Sequence, residues 1–186
     1  MSPGPIEFPV VGLSDGVVTL RLMSDADIPA IVAAVQDPDI PRYTRVPEDY
    51  GSDQARQWQR MASTGLRTGS DLPTLVVDAG DGRLLGAVGL HNLDPESGRC
   101  SAGYWVAAEE RRRGVARRGL RLLCRYAFDE LDVKRVELWI EPGNGASLRV
   151  AEAAGFRREG LLRSFMHIGG RRRDMLMYSL LPNDLG

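Results

Sequence analysis

The distribution of apolar and polar residues predicts alternating strands and helices in the first part of the chain. Residues 16–23, GVVTLRLM, alternate well enough to form a strand. A helix should follow, because Ser24 precedes an apolar periodic stretch and Asp27 stands three residues later, as in a capping box. A second helix is predicted from Ser52 to about Thr68. Between these helices, residues 37–51 contain three prolines and two tyrosines, so this segment is expected to be irregular.

The remainder of the chain has the pattern of a sheet interrupted by two helices. A strand, a helix and a second strand in the middle of this region predict a right-handed βαβ crossover with a parallel strand pair. We therefore expect an α/β fold with α+β layering, in which helices flank a mixed central sheet of about six or seven strands. The expected elements are strands 72–79, 83–93, 99–107 and 134–141, helices at about 114–131 and 145–154, and a closing hairpin that turns at 169–170.

Size and composition limit the classes of protein that the chain can represent. Its 186 residues, 43% of them hydrophobic, suit a single globular domain, which we place at 16–186 after a loose arm at 1–15. A net charge of -1 argues against a nucleic-acid-binding protein. The sequence has no apolar run of membrane-spanning length, its start does not resemble a signal peptide, and its two cysteines and two histidines argue against a metal site. We expect a cytoplasmic protein.

Three arginines stand directly before the predicted helix at 114–131. The N-terminal end of a helix carries partial positive charge and unpaired N–H groups, so Arg111, Arg112 and Arg113 oppose it electrostatically. Arginines, free N–H groups and Gly114, which permits close approach to the backbone, together indicate a pocket for a phosphate or pyrophosphate. The arginines along this helix, at 117, 121 and 125, are four residues apart and are expected to line one exposed, solvated helix face.

Four stretches of the sequence resemble the GNAT acyltransferases. Residues 111–116, RRRGVA, fit the acetyl-CoA motif Gln/Arg-x-x-Gly-x-Gly/Ala, directly after a predicted strand and at the start of a helix. The stretches at 102–106, 144–156 and 158–181 are similar to those of RimJ/RimL-type N-acetyltransferases, which modify protein N-termini and related amines. The resemblance covers about 16–181. It implies a GNAT fold, in which one strand splays from its parallel neighbour and opens a slot for acetyl-CoA as co-substrate.

The resemblance also assigns residues to the acetyl-CoA site. Backbone groups at Trp105 and Val106 would bind the pantetheine amides in the manner of an added strand. Asn144, which is also suited to cap the helix that follows it, would contact the pantetheine arm. Ser147 would lie beside the thioester sulfur and protonate the leaving thiolate. The pyrophosphate would be held by the motif, at Arg111, Arg112, Arg113, Gly114, Val115, Ala116 and Arg117.

The sequence departs from the family pattern where many relatives carry a glutamate on the strand before the motif. The aligned position holds Ser101, which removes a carboxylate from the expected catalytic site. Histidine has an unperturbed pKa suited to a general base, and His91 stands near the end of the preceding strand. Two alternatives stay open, namely a hydrogen-bonded structural histidine and water-mediated proton loss organised by Ser101 and His91. The catalytic candidates are therefore Ser147, His91 and Ser101.

The expected acceptor of the acetyl group is a primary amine, namely the N-terminal α-amine of a protein or peptide. An α-amine has a pKa of about 7.7–8.0 against about 10.4 for lysine, so an N-terminus loses its proton more easily. The alternatives are a small-amine or aminoglycoside-like acceptor and a non-catalytic acyl-CoA-binding module. A homodimer is a reasonable arrangement. We expect the acceptor to contact the irregular segment, the second helix and the strand before the motif, at Tyr43, Tyr50, Trp58 and Tyr104.

Overall fold

A mixed sheet of eight strands forms the centre of the protein in a computed structural model that describes residues 4–185. Its strands are β1 Leu13–Ser14, β2 Val18–Arg21, β3 Leu72–Asp78, β4 Leu84–Asp94, β5 Arg99–Val106, β6 Arg135–Ile140, β7 Arg157–Ile168 and β8 Arg171–Leu180. The order across the sheet is β1-β2-β3-β4-β5-β6-β8-β7. All neighbours are antiparallel except β5 and β6, which are parallel. The predicted mixed α/β architecture is confirmed, and the two-residue β1 brings the strand number above the expected range.

Helices cover both faces of the sheet, as predicted. They are α1 Ile28–Ala34, α2 Asp39–Tyr43, α3 Ser52–Thr68, α4 Val115–Glu130 and α5 Gly145–Ala154. Ile31 of α1 and Ile40 of α2 pack with Leu75 of β3 in a small apolar cluster, which lies on one face. On the other face, Leu120 of α4 and Ala151 of α5 belong to the larger core cluster. None of the helices between residues 4 and 185 is long and apolar enough to span a membrane.

The parallel pair β5–β6 is joined at one end only. Its register comprises Arg99 with Arg135, Cys100 with Val136 and Ser101 with Glu137. Beyond Ser101 the two strands separate, so residues 102–106 of β5 remain paired with β4 but have no partner on the β6 side among residues 4–185. This is the splayed pair that the sequence predicts, and it leaves a gap in the middle of the sheet.

The segment between α1 and α3 is more regular than the expected irregular structure. It contains α2, a helix of five residues. The Asp37 side chain supports the start of this helix by accepting a hydrogen bond from the Asp39 N–H at 2.9 Å. Thr44 closes its end, because its hydroxyl donates to the Ile40 carbonyl at 2.6 Å. A helix this short is fixed by such side-chain contacts, whereas the apolar period that identifies longer helices is too short to recognise.

Part of the segment 4–15 contacts the domain at residues 6–8, while Val10 and Val11 are exposed; the sequence assigns 1–15 to a loose arm. Phe8 packs edge-on against Tyr126 of α4, with 5.4 Å between the ring centroids. The Tyr126 hydroxyl donates to the Glu7 carbonyl at 2.6 Å, and the Ile6 N–H donates to the Leu66 carbonyl at 2.8 Å. Residues 1–3 of the predicted arm and residue 186 of the predicted domain lie outside the described residues. The contacts join residues far apart in sequence, which a local pattern does not reveal.

Candidate active site

The N-terminal end of α4 presents a run of unpaired backbone N–H groups. The backbone enters the left-handed region at Arg112 (φ 64°) and again at Gly114 (φ 78°), which caps the helix. The first hydrogen bond of the helix runs from the Arg118 N–H to the Gly114 carbonyl at 3.0 Å. Within the described range 4–185, no oxygen accepts a hydrogen bond from the N–H groups of residues 112–117. A curved run of such groups at a helix start is suited to bind a phosphate.

The arginine side chains around this helix end divide into two groups. Arg111 pairs with Asp37 at 3.0 Å and with Asp39 at 3.3 Å, so its guanidinium turns toward the α1–α2 side of the protein. Arg113 pairs with the buried Glu110 at 3.1 Å. These two arginines are therefore already engaged by carboxylates. The arginines of the predicted site that have no ion-pair partner among residues 4–185 and extend into solvent are Arg112 and Arg117.

The solvated helix face expected for the arginines of α4 is wrong at one position. Arg121 is half-buried and donates hydrogen bonds to the carbonyl of Ala154 at 3.3 Å and to the carbonyl of Leu185. It therefore provides hydrogen-bond donors for backbone carbonyls at the C-terminal end of α5 and at the end of the described chain. Arg117 and Arg125 are exposed, as predicted. Val115 and Ala116, in the first turn of α4, are buried, so their side chains fix the start of the helix by packing into the protein.

The free edge of β5 leads directly into this helix start. Trp105 and Val106 are half-buried at the end of the strand, where β6 has already separated. The Val106 carbonyl accepts a hydrogen bond from Nε of Arg111 at 3.4 Å, so it is within reach of a donor on this side. Unpaired strand edges bind extended amide-containing ligands through their backbone groups. A 3-10 turn at Ala108–Glu110 connects this edge to the N–H groups of residues 112–117.

The start of α5 lies on the other side of the gap. Asn144 caps the helix by accepting a hydrogen bond from the Ser147 N–H at 3.1 Å, as the sequence predicts. The Ser147 carbonyl in turn accepts a hydrogen bond from the Tyr104 hydroxyl at 3.4 Å. Burial raises the pKa of Tyr104 to about 12. Tyr104 lies with the larger core on the α4–α5 face, whereas Trp105 lies with the smaller cluster, so Tyr104 groups with Ser147 instead of the other acceptor candidates.

His91 and Ser101 meet on the face covered by α1, α2 and α3. They are direct partners in the β4–β5 register, and the buried Ser101 hydroxyl donates to the His91 carbonyl at 3.2 Å. Side chains alternate between the faces of a strand, so His91 shares the face of Ala87 in the smaller cluster. The structure therefore brings His91 and Ser101 together at the point where β5 leaves β6. It places them on the face opposite Tyr104.

Two carboxylates near this pair were not identified from the sequence. Asp71 immediately precedes β3, and its Oδ1 lies 3.1 Å from Nδ1 of His91. Glu137 is buried on β6 beside Ser101, where it accepts hydrogen bonds from Arg135 Nε at 2.8 Å and from Trp139 Nε1 at 3.3 Å. Counting outward from the Val77–Leu84 pair beside the turn would place Asp71 opposite Leu90, and the register shift between Val76 and Val77 brings His91 opposite Asp71 instead, so the sequence carried no direct signal for this pair.

An open cleft beside α3 reaches the same region. Its volume is about 380 Å³, and Asp71 and Ser70 form one wall of it. The side chains of Asp71 and His91 are 37% and 43% exposed, so both are accessible to a solute in this cleft or to water. The α3 residues that line the cleft are Gln57, Arg60, Met61, Thr64 and Gly65.

The aromatic acceptor candidates outside β5 have packing roles. Tyr50 and Trp58 are half-buried against the smaller apolar cluster, and burial raises the pKa of Tyr50 to about 12. Tyr43 is half-buried at the end of α2, with the Arg42 guanidinium 5.0 Å from its ring centroid. These residues shape the α1–α3 face of the protein, and none of them contacts His91 in the hydrogen bonds of residues 4–185.

Cysteine chemistry does not contribute to this site. Cys100 and Cys124 are buried and unpaired, and burial raises the pKa of Cys100 to about 12. Buried thiols in apolar surroundings are inert as nucleophiles. Among residues 4–185, no three His, Cys, Asp or Glu side chains cluster in a way that could hold a metal ion.

Comparison with known proteins places this geometry in a family. A family model described as an acetyltransferase (GNAT) domain matches residues 18–157. The YdaF protein of Bacillus subtilis (strain 168), whose name assigns it to the ribosomal N-acetyltransferases, is 38% identical over 104 residues, which cover 56% of this chain and 57% of that protein. The N-acetyltransferase p20 of Bacillus licheniformis is 29% identical over 168 residues, covering 90% of this chain and 94% of the relative.

A solved structure shares the fold over almost the whole chain. Mycobacterium smegmatis RimJ in complex with CoA-disulfide superposes with a TM-score of 0.83 at 24% identity, over 94% of this chain and 86% of that chain. The splayed parallel strands, the motif at the start of α4 and the family model thus agree. The chain belongs to the GNAT family of acetyltransferases, and YdaF and p20 are among its relatives.

Proposed function

We propose that the protein transfers the acetyl group of acetyl-CoA to a primary amine, preferably the N-terminal α-amine of a protein or peptide. The observation that carries this proposal is the gap after Ser101, which opens between two differently equipped faces. One face offers the α4 helix start and Ser147, and the other offers His91. A thioester bound on one side can therefore reach an amine held on the other. Family membership and the name of the relative YdaF support the same activity.

The proposed donor site follows the free edge of β5. The pantetheine arm would lie along residues 102–106 and exchange hydrogen bonds with the backbone of Trp105 and Val106. Its pyrophosphate would meet the N–H groups of residues 112–117 and the side chains of Arg112 and Arg117. Arg111 and Arg113 would act indirectly, because their pairs with Asp37 and Glu110 fix the shape of the loop. Asn144 would support the cofactor arm by holding the first turn of α5.

The proposed chemistry is direct attack of the amine nitrogen on the thioester carbonyl carbon. The acceptor ammonium first gives a proton to His91, and its lone pair then forms the C–N bond while the C–S bond breaks. The second proton of the amine nitrogen passes to the departing thiolate, with Ser147 at the start of α5 as the candidate relay, because its hydroxyl gives a proton to sulfur and regains one from the nitrogen. The balanced products are the acetylated amine, CoA thiol and one proton released to solvent through His91.

The preference for an α-amine follows from the modest base at the site. A lysine amine is about 2.5 pH units harder to deprotonate than an α-amine, which corresponds to roughly 3.5 kcal/mol. Ser101 replaces the carboxylate of many relatives, and the nearby Glu137 is engaged by Arg135. A single half-exposed imidazole is sufficient for the weaker base strength that an α-amine requires.

Activity assays with a panel of candidate acceptor amines test this proposal. Free CoA thiol and acetylated product are measured with a lysine-free peptide, the same peptide blocked at its N-terminus but carrying one lysine, a polyamine and an aminoglycoside. We expect the free α-amine peptide to react fastest. Acetylation confined to the polyamine or the aminoglycoside would favour a small-amine enzyme. Binding of CoA without thiol release for any acceptor would favour a non-catalytic acyl-CoA-binding module.

A further inference from the structure

The imidazole of His91 lies over two glycines. A Cβ atom at Gly89 would stand 3.3 Å from Nε2 of His91, and one at Gly103 would stand 3.6 Å from the same atom. Gly89 and Gly103 are partners in the β4–β5 register. The absence of side chains at both positions leaves the flat space that the ring occupies. Nε2 therefore lies over the Gly89–Gly103 pair, and Gly103 belongs to the part of β5 that has separated from β6.

Asp71 holds the opposite edge of the same ring. Leu72 pairs with Leu90, and one further step of this register brings Asp71 opposite His91, where Oδ1 lies 3.1 Å from Nδ1. The other carboxylate oxygen accepts a hydrogen bond from the Ser70 hydroxyl at 2.7 Å. The hydrogen bond with His91, supported by Ser70, holds the pKa of Asp71 below its usual value although partial burial opposes this. The carboxylate is therefore ionised at neutral pH.

An ionised carboxylate determines which nitrogen of the ring carries the proton. A carboxylate only accepts hydrogen bonds, so Nδ1 must carry the hydrogen that it donates to Asp71. In the neutral imidazole the other nitrogen then has a free lone pair. That nitrogen is Nε2, which lies over Gly89 and over Gly103 of the separated part of β5. The pair thus presents its basic atom, and not an N–H group, to the open part of the strand.

We propose that Asp71 is the positioning residue of the general base, and that the Asp71–His91 pair replaces the glutamate absent at Ser101. This inference rests on the proposed function, because it assigns the step in which the acceptor ammonium loses its proton. Asp71 fixes the ring and stabilises the imidazolium that forms when Nε2 takes the proton, as carboxylates do for catalytic histidines elsewhere. The imidazolium then returns its proton to water, to which both side chains are accessible.

Other charged groups near His91 come from three elements. Arg60 of α3 lines the cleft that Asp71 borders. Glu137 of β6 is the neighbour of Ser101 in the β5–β6 register. Glu137 is neutralised by Arg135 at 2.8 Å, and Ser101 on β5 carries no charge. Asp71 is the carboxylate within hydrogen-bond distance of the imidazole. Removing its charge should therefore have a larger effect on the proton transfer than changing either of the others.

The pH profile of kcat/KM for the acceptor tests this assignment. In Asp71→Asn we expect kcat to fall about tenfold and the acidic limb to move to lower pH by about half a unit or more, because the charge that favours the imidazolium is lost. Asp129→Asn, an exposed carboxylate on α4, is the matched control and should change neither. An unchanged acidic limb in Asp71→Asn overturns the inference, even if kcat falls.

A double-mutant cycle separates positioning from general support of the fold. If Asp71 acts through His91, Asp71→Asn should have no further effect on kcat in a His91→Gln background. Equal effects of Asp71→Asn in both backgrounds would contradict the inference. Both kinetic experiments require measurable acetyl transfer. A failed inference therefore shows as wrong effects of the Asp71 variants on an active enzyme, whereas a failed proposed function shows as no acetylation of any amine.

The tautomer of His91 provides a readout that does not depend on activity. Nitrogen chemical shifts of the two imidazole nitrogens, measured by NMR above the titration of the ring, distinguish a protonated Nδ1 from a protonated Nε2. We expect Nδ1–H in the native protein and loss of this preference in Asp71→Ala, with His167 as the internal reference. A predominant Nε2–H form of His91 in the native protein would overturn the inference directly.

Discussion

The two faces of β5 are constructed from different kinds of groups. On the α4–α5 face, the proposed donor site consists mainly of backbone N–H and carbonyl groups, exposed by the separation of β5 from β6 and by the left-handed cap at Gly114. On the α1–α3 face, the proposed acceptor site consists of side chains, chiefly Asp71, His91 and Ser101. Backbone groups suit a donor that is the same throughout a family, whereas side chains can change with the acceptor.

This comparison predicts that substitutions on one face leave the function of the other intact. We expect the largest difference between the effect on acetyl transfer and the effect on CoA binding at His91. His91→Gln should lower kcat/KM for an α-amine acceptor about a hundredfold, because a general base contributes at least this factor, while the dissociation constant of CoA stays unchanged. Initial rates and calorimetric CoA binding measure the two quantities. His167→Gln, at an exposed histidine of β7, is the control, and a kcat/KM in His91→Gln equal to that of the native protein would exclude the histidine base.

The donor face can be disrupted at Gly114 with a control that has the same backbone strain. Gly114 and Gly82 have φ values of 78° and 74°, and a Cβ would have open space at either position. Valine at either position should destabilise the fold by roughly 1–2 kcal/mol. Only Gly114→Val should also weaken CoA binding, by about thirtyfold, since it disturbs the N–H groups that would meet the pyrophosphate. Equal CoA affinities in the two variants would refute the proposed donor site.

A stability test addresses the helices of the acceptor face. Asp27, before α1, accepts hydrogen bonds from Arg21, which lower the pKa of its carboxyl to about 2. Because the folded pKa lies below the unfolded value, the stabilisation is complete above about pH 4 and is lost as the pH falls toward about 2. Asp27→Asn should cost about 1–2 kcal/mol at pH 7 and flatten the acid side of the stability profile, without changing CoA affinity.

Denaturant unfolding between acidic and neutral pH measures this effect. The control is Asp53→Asn, which removes a pair with Arg56 that is 3.4 Å long and has a carboxylate that is 95% exposed, so its stability should match that of the native protein. If the free energy of unfolding still falls steeply at acidic pH in Asp27→Asn, another carboxylate must stabilise this face.

The smallest effect is expected at Ser147. CoA thiolate is a tolerable leaving group at neutral pH, because a thiol pKa is near 8.5, so its protonation assists the reaction without controlling it. Ser147→Ala should lower the single-turnover rate about fivefold and preserve CoA binding, since the Asn144 cap uses the backbone N–H and not the hydroxyl. A rate equal to that of the native protein would remove Ser147 from the mechanism.

The local structure of the proposed donor site could be predicted from the sequence because its parts are contiguous. The motif at 111–116 and the cap at Asn144 are each recognisable within a few residues, and the splayed strand pair is implied by the family resemblance. The boundaries of α3 and α4 agree with the predicted helices to within one residue. Regular elements of this length carry a clear apolar period, so their positions follow from the sequence pattern.

The acceptor face was predicted only in part, because its contacts join distant segments. Asp71 and His91 meet through strand register, and Arg111 reaches Asp37 across the fold. Arg121 shows the same limit on the donor face, since the carbonyls that it binds belong to α5 and to the end of the described chain. A pattern of single positions does not contain these pairings, which depend on how the elements pack.

Titration of the native protein with CoA, followed by backbone amide chemical shifts, tests the separation of the two faces most directly. We expect the largest shifts at residues 102–106, 112–117 and 144–147, with small ones at Asp71, His91 and along α3. Adding the α-amine peptide to the CoA complex should then shift the amide signals of Asp71, His91 and α3. Large CoA-induced shifts along α3 and around Asp71, with none at residues 112–117, would contradict the assignment of the donor to the α4–α5 face.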